Sequence, residues 1–231
     1  MLHTNILITG DSWGVGEWGY SLLGGESRIT HKGFEQYALD DGFNVFNQSV
    51  GGHSLVELFY SKVPYPLDYY DYQIVFVTEP LRKVRLEDRN ISNIDNLIDL
   101  QTTIFRLYLD YLSFLPCRSI LLGGPYKIDT SLTEKYINIE VAIPSISEFL
   151  IPSYKQPKIW IDNIILSTIE NLDTLLKEEI DTLLLYKKQS NFVELSETVE
   201  EAKFFIPDGG HPNRHAHKII YEYVRDNYLL N

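Results

Sequence analysis

Cysteine and methionine occur once each in these 231 residues. The single thiol, Cys117, excludes an internal disulfide framework and any cysteine-based metal cluster. It precedes the apolar run Ile120-Leu121-Leu122, which marks it as a packed or half-exposed thiol rather than a nucleophile. Positive charge is scarce too, since 20 Lys and Arg stand against 32 Asp and Glu, a formal net charge of −12. That balance opposes broad nucleic-acid binding, which needs cations to displace counterions from phosphates, and it opposes docking on anionic membranes. No window approaches the roughly 18 consecutive apolar residues of a membrane span. The first strand begins after four residues, too early for the charged and apolar regions of a secretory signal, so a cytoplasmic location is expected. No Pro/Gly/Ser-rich linker, internal repeat or low-complexity segment divides the chain. One domain over 1–231 is expected.

What is present is an alternation of apolar strands and amphipathic helices. Ile6-Leu7-Ile8-Thr9 stops at Gly10 and reads as a buried first strand, followed by Asp11-Ser12-Trp13-Gly14. A Gly- and Trp-rich passage to Gly25 leads to a helix from about His31 to Leu39. Asn44 to Val50 reads as the second strand and runs into Gly51-Gly52, after which Ser54 caps a helix carrying Leu55, Leu58 and Phe59. Tyr60 to Tyr72 is a tyrosine-rich loop entering the third strand, Gln73 to Val77, on the side away from Ser12. Leu97, Ile98, Ile104, Leu107, Tyr108 and Tyr111 give a helix over about 94–114. Ser119 to Leu122 is the fourth strand, and 126–157 lacks a clean period and reads as an irregular insertion. A helical pattern over 158–188, a fifth strand over Asn191 to Leu195 and a final helix from Ala216 to Tyr228 with Ile219, Ile220 and Tyr223 inward complete the chain. Such alternation predicts an α/β protein with a parallel sheet of about five strands covered on both faces.

In open α/β sheets ligands bind beyond the carboxyl ends of the strands, where Ser12 falls. Pro207-Asp208-Gly209-Gly210-His211 offers a carboxylate three residues before an imidazole. Folded back, it can hold Nδ1–H and leave Nε2 free to take a proton. Ser12, His211 and Asp208 are thus candidates for nucleophile, base and orienting acid.

Gly10-Asp11-Ser12 after the first strand, Gly51-Gly52 after the second and Asp208-x-x-His211 before the last helix resemble, in that order, the block pattern of the SGNH/GDSL hydrolases. The resemblance implies a flavodoxin-like three-layer α/β/α sandwich and a serine esterase or lipase mechanism, often on acyl esters of sugars or lipids. Carried over by position, Ser12 is the nucleophile, His211 the base and Asp208 its partner. The oxyanion hole would be formed by Ser12 with Gly52 or Gly51. One block departs: the family ends its third strand with Gly-x-Asn-Asp, whose amide donates to the oxyanion, and here Val77-Thr78-Glu79-Pro80 stands. A carboxylate cannot donate, and one lost donor costs about 3 kcal/mol. A weak enzyme, a hole rebuilt with Thr78, Arg82 or His53, and a binding protein on an esterase fold all remain open. The rebuilt hole is favoured, because a binding module needs no serine–histidine–aspartate set.

Several residues near these motifs carry a second reading. Asp11 reads as tying its own turn together. Trp13 and Trp18 could floor a pocket, with Trp13 the better candidate. Arg82, Lys83, Arg85 and Arg89 form the one basic cluster and read as a solvated helix start ahead of an anion grip. Gly14-x-Gly16-x-x-Gly19 begins too far from the strand end for a dinucleotide fingerprint. His211, His215 and His217 lack a clear zinc pattern, so no cofactor and no metal are expected. The tyrosine-rich loop reads as packing, with a homo-oligomer or partner contact as the lesser reading. The function expected is hydrolysis of a small-molecule or carbohydrate ester, most plausibly a deacetylation, through an acyl-enzyme. The alternatives are a catalytically weak carbohydrate-binding or structural protein, or an acyltransferase.

Overall fold

The computed structural model describes residues 4–19, 28–58, 65–82, 94–124, 126–152, 203–206 and 211–230. Five parallel strands form its sheet: β1 (Asn5–Gly10), β4 (Asn44–Asn47), β5 (Tyr72–Val77), β6 (Arg118–Gly123) and β7 (Ile139–Ile143). They lie in the order β4-β1-β5-β6-β7, the doubly wound 2-1-3-4-5 arrangement. Its topological switch point is between β1 and β5. Between β1 and β4 the chain forms a separate small antiparallel pair, β2 (Glu17–Gly19) and β3 (Arg28–His31).

Alternation along each strand sends side chains to two separate cores. Ile6, Ile8, Ile74, Phe76, Ile120 and Leu122 meet Phe34 and Ala38 of α2 (Phe34–Asp40), Ile146 and Leu150 of α5 (Ile146–Leu150), and Ala216 and Ile220 of α6 (Arg214–Val224). Leu7, Val75, Val77 and Leu121 meet Leu55 and Leu58 of α3 (Leu55–Leu58) and Phe105, Tyr108, Leu109 and Leu112 of α4 (Ile94–Ser113). The result is a three-layer α/β/α sandwich. Ser54 and Glu57 start α3 with a reciprocal cap, the Ser54 amide donating to Oε2 at 2.7 Å and the Glu57 amide to Oγ at 3.3 Å.

Four expectations need correction. The fifth strand of this sheet is β7, inside the supposed irregular insertion. Its Ile-Glu-Val-Ala-Ile run does not alternate cleanly and ends after five residues, before Pro144, too short a run to stand out. The expected strand over 191–195 and helix over 158–188 lie outside the described residues. His31 closes β3 instead of opening α2. Its Nδ1 accepts from the Gly33 amide at 3.0 Å, and the helix starts at Phe34. In α4 the buried stripe runs through Phe105, Tyr108, Leu109 and Leu112 while Leu107 faces solvent; a rotation of one residue separates the two faces. In α6 Ile220 is buried as expected, but Ala216, His217, Tyr221 and Val224 complete the innermost face while Ile219 and Tyr223 pack at its margin.

The tyrosines before β5 sit at the amino end of the sheet. Tyr70 is buried, and Tyr65 and Tyr69 stack at 4.5 Å beside Phe46. Among the described residues no helix is long and apolar enough to cross a membrane. Cys117 is buried, and burial pushes its thiol pKa up.

Phe34 is fully buried and meets Phe76 and Tyr221 edge to face, with centroids 6.1 and 5.2 Å away. Phe34→Ala is expected to cost about 3–5 kcal/mol. Urea denaturation should show this as a lower midpoint at unchanged slope.

Candidate active site

The chain leaves β1 through Gly10, which turns at φ +153 against β5. A Cβ there would lie 2.7 Å from the Phe76 carbonyl oxygen. Asp11 follows as the N-cap of α1 (Ser12–Val15), with Oδ1 accepting from the Trp13 amide at 3.0 Å. Ser12 therefore sits at the carboxyl end of β1, at the switch point. The chain leaving β4 runs on beside β1, the Gln48 amide donating to the Ile8 carbonyl at 2.8 Å and Val50 to Gly10 at 3.1 Å. These bonds bring Gly51 over the serine. A Cβ on Gly51 would stand 3.9 Å from Ser12 Cβ and 3.4 Å from the Trp18 ring. Both are ordinary van der Waals distances, so the approach is close without being sterically closed to a Cβ. Gly52 turns the chain at φ +77 with open space around it.

His211 arrives from the other end of the chain. The Ile206 amide donates to the His211 carbonyl at 2.9 Å, Asn213 donates to Phe204 at 2.8 Å, and Phe205 bridges Pro212. These bonds set His211 just before α6, whose first turn Asn213 caps by accepting from the Ala216 amide at 3.0 Å. The outcome is a Ser12 Oγ to His211 Nε2 distance of 2.7 Å. A hydroxyl and an imidazole at that distance can pass a proton from oxygen to nitrogen as the oxygen attacks. Asp208 lies outside the described residues.

A salt bridge fixes the approach of His211. Glu17 Oε2 accepts from the Arg214 amide at 2.5 Å, and Glu17 Oε1 pairs with the guanidinium at 2.8 Å. Thr30 adds a hydroxyl at 2.8 Å. Burial opposes charge on Glu17, but these bonds, led by the Arg214 side chain, outweigh it and hold the carboxyl down at about 2. On the same strand, Trp18 donates from Nε1 to the Ser12 carbonyl at 3.1 Å and lies 6.0 Å from the His211 ring.

The two tryptophans are therefore the reverse of the expectation. Trp13 is buried against Phe205 and Gly124 as core, and Trp18 forms the wall beside the serine and imidazole. Each Trp is followed directly by a glycine, Gly14 or Gly19, and nothing local tells which ring faces the site.

The third strand's end holds a charge cluster. Asp11 Oδ2 pairs with Arg82 Nη1 at 3.0 Å, and Glu79 Oε2 with Arg82 Nε at 2.8 Å. Burial raises the Asp11 pKa, while Arg82, the Trp13 amide, Thr78 and His211 pull it back. Thr78 Oγ1 donates to the His53 carbonyl at 3.2 Å. Lys83, Arg85 and Arg89 lie outside the described residues. Among the described residues no group of three or more His, Cys, Asp or Glu could hold a metal. His217 is buried under the site, and desolvation lowers its pKa to about 4. A neutral imidazole in that place is part of the core.

A doubly wound α/β sandwich with a serine–imidazole pair at its switch point is the class that this fold and site define. No family model matches the chain, and no curated protein matches it. Among solved structures, Axe2, an acetylxylan esterase from Geobacillus stearothermophilus, is similar at 14% identity, covering 96% of this chain and 93% of its own with a TM-score of 0.43. A protein described as a GDSL-like lipase from Parabacteroides merdae is similar at 14% identity, covering 99% and 96% with a TM-score of 0.45. At these values neither likeness bears on what this chain does.

Because the Glu17 pKa is depressed on folding, its ion pair contributes stability above the ordinary carboxyl value of about 4.5. That contribution is lost as pH falls through about 2. Glu17→Gln should lower stability at neutral pH and flatten the decline between those values. Chemical denaturation at stepped pH reads both curves, which should converge at the acid end.

Proposed function

We propose that this chain is a serine esterase of the SGNH/GDSL type that cleaves a carboxylic ester through an acyl-enzyme. The observation that carries the reading is the 2.7 Å contact between Ser12 Oγ and His211 Nε2 at the end of β1. Ser12 Oγ attacks the ester carbonyl and its proton passes to Nε2. The alkoxide that forms would accept from the amides of Ser12 and of Gly51 or Gly52, and Asp208 would hold the imidazolium. His211 then gives its proton to the departing alcohol. Water, deprotonated by the same nitrogen, releases the acid and restores the serine.

An acetyl or other short acyl group on a carbohydrate is the substrate class this reading favours. Its support is Trp18 beside the base, an amphipathic ring suited to the apolar face of a sugar. A second reading is supported by Glu79, a buried carboxylate at the end of β5 where a donor would serve an esterase: a carbohydrate-binding protein without turnover.

The wild type should hydrolyse an aryl acetate, and Ser12→Ala and His211→Ala should each lose at least ~10³-fold in kcat/KM. Equal rates for wild type and Ser12→Ala would overturn the esterase. Sugar binding without hydrolysis would favour the second reading.

A further inference from the structure

Arg82 occupies an unusual place for a cation in so acidic a chain. Its amide closes the turn after β5 by donating to the Glu79 carbonyl at 3.2 Å, and its side chain is four-fifths covered. Nη1 reaches Asp11 Oδ2 at 3.0 Å, Nε reaches Glu79 Oε2 at 2.8 Å, and Nη1 stands 3.5 Å from both the His53 carbonyl and Thr78 Oγ1. Asp11 is completely buried and Glu79 almost so. These four partners belong to three different parts of the site. Asp11 caps the turn that carries Ser12. His53 follows Gly51 and Gly52 and closes their turn by donating to the Val50 carbonyl at 3.1 Å. Thr78 and Glu79 directly follow β5.

The cluster suits neither of two simpler roles. One guanidinium between two carboxylates carries no surplus positive charge, so it does not attract an anionic substrate. Nor is it an economical way to gain stability, because the desolvation of buried ions offsets their attraction and apolar side chains of similar volume often serve as well. What the fork geometry does supply is direction. Nη1 donates a hydrogen bond to Asp11 while Nε holds Glu79 as an ion pair from another side of the same rigid plane, a two-sided grip that a point-like ammonium cannot reproduce.

We infer that Arg82 is a positioning residue, resting on the esterase reading above: it fixes the Ser12 turn and the Gly51-Gly52 turn relative to one another. The nucleophile and the backbone donors beside it are thereby held in one register. Loss of that register slows attack on a bound ester without weakening the ester's binding.

The experiment uses the full-length chain, with Ser12 labelling by a fluorophosphonate and steady-state hydrolysis of an aryl acetate as its two rates. Arg82→Lys should fold, keep KM within about twofold, and lose roughly 10- to 100-fold in kcat and in labelling rate, as expected for a displacement near 1 Å. The triple variant Asp11→Asn/Glu79→Gln/Arg82→Met, which leaves no buried charge uncompensated, should fold and show the same loss. If Arg82→Lys fails to fold, the triple variant decides by the same two rates. Labelling and kcat at wild-type values, or a loss confined to KM, would overturn the positioning role alone. A wild type that neither labels nor hydrolyses would overturn the esterase reading, and the positioning role falls with it.

Discussion

The carboxylate of Glu17 bonded to the main-chain amide and guanidinium of Arg214 is the constraint on which the candidate site depends. It joins residues 197 positions apart, and the elements it joins carry the wall and the imidazole of the site. Adjacent residues of a strand point to opposite sides, so Glu17 can grip α6 while Trp18 lies against the serine carbonyl. The same amide belongs to the first turn of α6, just after the Asn213 cap. Position is thus passed from a three-residue strand to His211 through groups with little rotational freedom. A surface ion pair would be worth little. This one is partly buried and includes a backbone donor, which makes it directional.

The rest of the geometry follows from a sheet whose connections diverge. From β1 the chain turns to one neighbour, β4, and then crosses back to the other, β5, opening a crevice at the carboxyl ends between them. Three turns line that crevice, after β1, β4 and β5, and each contributes something different. The first brings a hydroxyl, the second a glycine close to the serine, the third a buried cluster of charge. Two apolar cores on opposite faces hold the strands that present them.

Much of this was legible in the sequence, and the reasons are specific. Gly10-Asp11-Ser12, Gly51-Gly52 and the surroundings of His211 are contiguous peptides whose chemistry and conformation can be judged locally. β1, β5 and β6 are buried on both faces, so their apolar runs are continuous and stand out. β7 lies at the edge of the sheet and carries Glu140, which pairs with Arg118 of the neighbouring strand; half-exposed and short, it dilutes its own pattern. The pairings of Glu17 with Arg214 and of Asp11 with Arg82 leave no local trace. Charged residues are abundant in this chain, and partners 197 and 71 positions apart are chosen by topology alone. Trp18 leaves no local sign for a related reason: its neighbours Ser12, Gly51 and His211 come from three separate stretches of chain.

The two members of the hydroxyl–imidazole pair are 199 residues apart, one in the first turn of the fold and the other just before α6. A chain growing from the ribosome makes Ser12 before His211 and can fold β1 and β4 around the serine while the histidine is still unmade. Until α6 docks against α2, that serine has no imidazole to take its proton. Chemical competence therefore waits on the docking of α6, and a product that stops short of His211 keeps an alcohol at the switch point with no base beside it.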